Sequence, residues 1–407
     1  MISTIYDIAF LIALALLFAR FLGYLVSKLK FPAVIGEILA GFIIAIIGFY
    51  IFKGQTISVY GISITVPYLY CLSNEFDLLA EIGILFLMFI SGLSTNINQL
   101  RAMGRPSFFI AVGGIIAPFT LGFSASYLFG YSLNDSLVLG LMLIATSVGI
   151  TVRSLMDLQM LDSKIGATIL GSAVLDDILG IILLSFIIGT DSILNISIKI
   201  MIFFFFFLYL GLRIIDRVLG FGEKINLPKA FLSISLAIFL LYSFFADRFG
   251  ISGIIGAFFA GVIISHSIKS RKIIDDVQTL GYGFFVPLFF IWIGIRLFTG
   301  VQYDIYSLYS IGFFALLIVI IGILGKIIGC GIAAKLAGLS RIESLKIGVG
   351  MIPRMELALI IVSTAISKGF LSTRIIENQF LAITVFLTVI TTLITPVLIK
   401  KVFQYSS

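Results

Sequence analysis

Long apolar runs, interrupted by charge, Gly, Pro or Asn, set the pattern of this chain, and runs such as Met201 to Tyr209 leave no polar face for water. Cut at those interruptions, the sequence predicts thirteen helices, near 5–28, 33–52, 76–94, 107–130, 135–156, 163–189, 194–219, 228–247, 251–267, 280–298, 308–336, 345–366 and 376–399. An odd number puts the termini on opposite sides of a membrane. The longest non-helical stretch, about 53–75, is too short to be a domain, so residues 1–407 read as a single membrane domain.

Composition turns that pattern into a solvent. Of 407 residues, 60% are hydrophobic and only 12% charged, against roughly a quarter in soluble globular domains, and the mean hydropathy is +1.21. An ordinary soluble enzyme is excluded, and the fold class is an all-α polytopic membrane protein. The net charge of +7 comes from Lys and Arg in short loops, with no basic stripe for nucleic acid. Eighteen of these residues fall in loops on one side and six on the other, which orients the N-terminus outside and the C-terminus in the cytoplasm. The first apolar run starts at Ile5 with no basic segment before it, so it reads as a retained helix. With only Lys400 to Ser407 after the last predicted helix, no cytoplasmic nucleotide-binding domain is expected. Cys71 and Cys330 lack ligand spacing, and no cofactor is expected.

Charge inside a membrane helix costs roughly 2.5–3.5 kcal/mol on insertion scales and marks function by default. The candidates are Glu37, Glu81, Asp176, Asp177, Lys326, Arg354 and Glu356. Asp176 and Asp177 stand near the middle of an apolar helix, their side chains about 100° apart around it. One can pair with a fixed cation while the other faces a cavity. Lys326, flanked by Gly322, Gly325 and Gly329, lies well inside an apolar segment where glycines allow neighbouring helices to approach closely; snorkelling of its long side chain to an interface is the alternative. Arg354 follows Gly350-Met351-Ile352-Pro353 and is suited to the carbonyl end of a half-helix. Glu37 and Glu81 lie nearer helix beginnings, where an interfacial and a functional role are equally open.

Two apolar helices are interrupted at their middles, at Ala145-Thr146-Ser147-Val148-Gly149-Ile150-Thr151 and at Gly348-Val349-Gly350-Met351-Ile352-Pro353. An inverted repeat with broken helices produces this pattern; so does the general frequency of Gly and Pro in membrane helices. Enzyme readings of the Asp pair fail, because the Gly-x-Gly-Asp setting of intramembrane aspartyl proteases and the Asp-rich clusters of prenyl-transfer enzymes are both absent. The single His266 sits beside a basic loop, so no histidine relay exists.

Five features together resemble the monovalent cation:proton antiporter superfamily, in the branch of the NapA/NhaA-like Na⁺/H⁺ antiporters and related to Kef-type transporters. They are Phe31-Pro-Ala-Val-Ile-Gly-Glu-Ile-Leu-Ala-Gly41, the stretch from Glu81 to Gly92, Thr146 to Thr151, Asp176-Asp177 with Lys326, and Ile352-Pro-Arg-Met-Glu356. The resemblance covers essentially the whole chain. It implies about thirteen transmembrane helices in an inverted-repeat antiporter fold with two crossing broken helices. Core helices would lie at approximately 107–189 and 308–399, dimerisation or scaffold helices at approximately 5–94 and 194–298, and the protein would be a homodimer in the cell membrane.

Carried over by position, Asp177 resembles the carboxylate that takes Na⁺ or a proton, and Asp176 the partner of Lys326. Thr146, Ser147 and Thr151 resemble the polar lining of the first break, with Arg354, Glu356, Glu81 and Glu37 as supporting charges. Kef-type relatives usually have Gln at the first position of the pair and a C-terminal nucleotide-binding domain; Asp176 and the end at Ser407 favour Na⁺ or Li⁺. Asp-Asp with a lysine resembles the electrogenic type. The expected function is Na⁺(Li⁺)/H⁺ exchange by alternating access, serving pH homeostasis. A Kef-type K⁺/H⁺ antiporter and, behind it, a cation channel are the alternatives.

Overall fold

The computed structural model describes residues 5–29, 31–50, 56–59, 62–65, 74–95, 102–189, 193–225, 227–267, 273–296, 298 and 312–404. Apart from a two-stranded antiparallel hairpin, β1 (Thr56–Val59) and β2 (Ile62–Thr65), the described elements are helical. The hairpin falls in the stretch read as non-helical, where β-branched residues pair in register from Thr56–Thr65 to Val59–Ile62.

The helices are α1 (Ile5–Lys28), α2 (Ala33–Tyr50), α3 (Asn74–Ser94), α4 (Gly104–Leu128), α5 (Leu133–Ile144), α6 (Val148–Asp157), α7 (Lys164–Ile188), α8 (Ile193–Phe203), α9 (Gly211–Lys224), α10 (Ala230–Arg248), α11 (Gly253–His266), α12 (Ile274–Arg296), α13 (Gly312–Leu336), α14 (Arg341–Gly350), α15 (Glu356–Ser367) and α16 (Arg374–Gln404). A π-helical turn, Phe204–Leu210, joins α8 to α9. Among the described residues, ten helices are long and apolar enough to cross a membrane, or eleven when the bent pair α8 and α9 counts as one. The start of α12 lies six residues before the expected 280. Asp275 and Asp276, taken from sequence as loop residues, occupy its first turn, where the helix dipole favours negative charge.

The chain divides into two units. The first holds Met1–Leu87 and Gln278–Tyr303. Its core gathers Leu11, Ala15, Ala40, Ile44, Phe76, Leu288 and Ile291, and close backbone approach explains its glycines: a Cβ at Gly41 would lie 2.0 Å from Ile291 O, and one at Gly36 2.5 Å from Leu22 O. Asp77 accepts from Trp292 Nε1 at 2.7 Å and from Arg296 at 2.5 Å. Glu37 and Glu81 both belong to this unit, Glu37 buried and Glu81 exposed.

The second unit, Met88–Val277 with Asp304–Ser407, contains both interrupted helices. Its most extensive helix pair is α4 with α13. A Cβ at Gly329 would lie 2.3 Å from Gly113 O, one at Gly113 2.6 Å from Gly329 O, and one at Gly325 2.9 Å from Pro118 Cα. Small residues on both helices let the backbones touch, the packing available where lipid supplies no hydrophobic drive. That contact sinks Lys326, in the middle of α13, to complete burial.

Candidate functional site

The expected helix 135–156 is two half-helices. α5 ends at Ile144, Ala145 and Ser147 take extended conformations, and α6 begins at Val148. The expected helix 345–366 is likewise α14 and α15, separated by Met351 to Met355. Pro353 removes an N–H donor and disfavours helical geometry at Ile352, so the second break is written in the sequence. The two breaks lie against each other: Ser147 N–H donates to Pro353 O at 2.6 Å, and Thr151 Oγ1 donates to Gly350 O at 2.7 Å. Each interruption thus supplies partners for polar backbone that the other exposes.

Asp176, on α7, faces this junction. Lys326 Nζ donates to Asp176 Oδ2 at 2.8 Å and Oδ1 at 3.0 Å, while Thr146 Oγ1 donates to Oδ2 at 2.7 Å. The side chains of Lys326 and Asp176 are 0% and 1% exposed. One hydroxyl and one ammonium therefore occupy this carboxylate, as a buried ion pair requires. A Cβ at Gly114 would lie 2.6 Å from Cys330 Sγ and 3.4 Å from Lys326 Nζ, so this glycine makes room first for the Cys330 thiol, next to the pair. Asp177, the next residue, is partly exposed where Asp176 is buried. Successive helical side chains point about 100° apart, so the adjacent carboxylates meet different surroundings.

Arg354 is fully buried and bound to carbonyl oxygens. It donates to Leu143 O from Nε (3.1 Å) and from a terminal nitrogen (2.5 Å), to Ile352 O at 2.7 Å and to Gly322 O at 3.0 Å. Leu143 lies in the last turn of α5, so a cation sits at the carbonyl end of a half-helix, where the dipole favours it. The side chain of Glu356 lies outside the described residues. His266 is exposed at the end of α11. Among the described residues no group of three or more His, Cys, Asp or Glu could hold a metal ion.

The whole chain matches known proteins. The family model described as "Sodium/hydrogen exchanger, transmembrane" covers residues 13–404. This chain belongs to the sodium/hydrogen exchanger family. The exchanger is 33% identical to the Na⁺/H⁺-K⁺ antiporter GerN of Bacillus cereus over 98% of this chain and 97% of that one. It is 32% identical to a Na⁺/H⁺ antiporter of Enterococcus hirae over 93% of each. In three dimensions it is similar to the sodium proton antiporter MjNhaP1 of Methanocaldococcus jannaschii, with a TM-score of 0.62, 16% identity and 97% and 96% of the two chains covered, a likeness of fold. The exchanger is therefore a multi-pass membrane protein of the monovalent cation:proton antiporter superfamily.

Two features escape the reading of charges. Thr384, Thr388, Thr391, Thr392 and Thr395 of α16 are all buried and lie within about 100° of its circumference. Thr391 Oγ1 accepts from Arg354 N–H at 3.2 Å, and Thr384 Oγ1 donates to Met142 Sδ at 2.9 Å, so this stripe backs the interrupted helices. The i, i+4, i+7 spacing of hydroxyls in an apolar helix is the signal that finds it. Asp135, at the start of α5, is the second: it is fully buried and bound to Ser372.

Proposed function

We propose that this exchanger moves Na⁺ or Li⁺ against H⁺ by alternating access, with Asp177 taking either ion and Asp176 held by Lys326. The observation that carries the reading is the asymmetry of the Asp pair. Asp176 is spent on Lys326 and Thr146, while Asp177 keeps part of its surface exposed. A carboxylate drawn partly out of water takes a proton or a cation as partner, and one site that holds either, opened to one side at a time, gives coupled exchange without ATP. Thr146, Ser147 and Thr151 supply oxygens at the first break, and Arg354 holds the break in shape through carbonyls. Release of the Lys326 proton as a cation arrives would add a second proton and make transport electrogenic.

The remaining features follow from the same reading. Counting the broken pair around 345–366 and α11 as spans gives thirteen crossings, with the N-terminus outside, the C-terminus cytoplasmic and the protein a homodimer in the cell membrane. The interrupted helices are then the crossing pair of an inverted repeat. K⁺ is the second cation to test, because the name of GerN includes it.

Cation-induced dequenching of a pH dye in proteoliposomes separates these readings. Na⁺ and Li⁺ should move protons, with rates that respond to an imposed membrane potential. Equal or larger signals with K⁺ transfer the assignment to K⁺/H⁺ exchange, and current without proton movement makes the protein a channel.

A further inference from the structure

Both first half-helices begin alike, α5 with Ser132-x-x-Asp135 and α14 with Ser340-x-x-Glu343. In α14 the motif closes on itself: Ser340 N–H donates to Glu343 Oε2 at 2.8 Å and Glu343 N–H to Ser340 Oγ at 3.2 Å. In α5 the shorter acid instead reaches across the fold. Asp135 Oδ1 accepts from Ser372 N–H at 3.0 Å, and Oδ2 accepts from Ser372 Oγ at 2.6 Å and from Ser132 Oγ at 2.6 Å. Asp135 is 0% exposed, and among the described residues no cation pairs with it. Ser132 is itself the cap, accepting from Asp135 N–H at 3.2 Å, so capping does not require the Asp135 side chain and does not explain a buried carboxylate with no cation beside it.

Ser372 lies in the turn between α15 and α16. α5 runs from Asp135 to the first break, and α15 runs from the second break back towards Ser372. The breaks are themselves joined by Ser147 N–H to Pro353 O. The two half-helices are thus tied at both ends, a closed loop whose far corner is Asp135 with Ser372. A second link sits beside it, from Tyr131 Oη to Gln379 Oε1 at 3.3 Å, lining the same cavity of about 730 Å³ with Asp135, Ser372 and Thr373. Burial, and then the Asp135 charge, raise the Tyr131 phenol above its ordinary value, so it remains a donor at neutral pH.

We propose that Asp135 is a positioning residue: by holding Ser372 it makes α5 and α15 move as one body, and so sets the cation affinity of the breaks they carry. The inference rests on the exchange reading of those breaks. At the start of α14 the matching acid, Glu343, is used by its own cap.

The test uses the full chain in proteoliposomes with Na⁺ as the probe, comparing Asp135→Asn, Ser372→Ala, Ser372→Thr and the double variant Asp135→Asn/Ser372→Ala. Losing hydrogen bonds to a carboxylate should raise the apparent KM for Na⁺ about three- to tenfold in the first two, with the maximal rate per folded protein within about twofold. Ser372→Thr, which keeps both donors, should stay near the parent, and the double variant should be no worse than Asp135→Asn. An unchanged KM in both single variants overturns the proposal, including the case where the rate falls only with the amount of folded protein. If Asp135→Asn does not fold, Ser372→Ala against Ser372→Thr decides alone. Amide hydrogen exchange gives a readout independent of transport. Ser372→Ala should lower protection of 132–144 and 356–373 together, whereas loss confined to one segment contradicts the tie. A parent protein that moves no protons with Na⁺, Li⁺ or K⁺ removes the exchange reading, while hydrogen exchange still tests the tie.

Discussion

Lys326 Nζ lies 2.8 Å from Asp176 Oδ2 at the junction of two interrupted helices, both side chains withdrawn from solvent. The pair is energetically lopsided. Two charges taken from water are offset by their attraction, whereas one charge left alone is not. Lys326→Ala should therefore lower stability by about 3–5 kcal/mol, read as a fall in unfolding temperature in detergent. The double replacement Asp176→Leu/Lys326→Met should recover most of that loss while abolishing transport.

Arg354 carries a fork that lysine lacks. Its bonds to Leu143 O, Ile352 O and Gly322 O need several N–H groups at once. Arg354→Lys keeps the charge and strands buried carbonyls, so we expect a loss of about 3 kcal/mol or more together with loss of exchange. A lysine variant with parental melting and transport would show that charge alone suffices.

Helix contact at the glycines is equally specific. With a Cβ at Gly329 only 2.3 Å from Gly113 O, Gly329→Val must push backbone apart and should cost about 1–3 kcal/mol or more. Gly104→Ala, where nothing lies within 4 Å, should stay within about 0.5 kcal/mol of the parent. Thermal unfolding of both variants in one detergent makes the comparison.

The Ser340–Glu343 box gives a pH dependence whose sign follows from its geometry. Hydrogen bonds from the Ser340 backbone and then its side chain hold the Glu343 carboxyl below its ordinary value. A carboxylate lowered on folding contributes stability that is full above its unfolded value and is lost as pH falls through its folded one. The melting difference between the parent and Glu343→Gln should thus be present at pH 7 and vanish in acid below the ordinary carboxylate range. Partial exposure and solvent screening keep it small. A difference that grows on acidification would contradict the assignment.

The apolar runs carry most of the fold because a lipid-spanning helix needs about 20 apolar residues, and the expected 5–28 coincides with α1. Asp176 and Lys326 stand out as charges where charge is costly, so the ion pair is legible without its geometry. The acceptor of Arg354 is not: Leu143 O lies 211 residues away and is backbone, which any residue offers. Asp135 reads as an ordinary acid at a helix start until Ser372, 237 residues on, closes over it. The threonines of α16 hide because a membrane-helix threonine usually bonds its own preceding turn, as Thr395 does to Thr391 O at 2.5 Å. The early start of α12 shows the reverse error, where acids that suit a helix N-terminus read as loop.

In the proposed cycle Asp177 exchanges a proton for a cation while Asp176 stays with Lys326. Asp177→Asn in proteoliposomes loaded with a pH dye tests it most directly. Addition of Na⁺ or Li⁺ should produce no dequenching in that variant, while its folding matches the parent. Proton movement at the parental rate would contradict it.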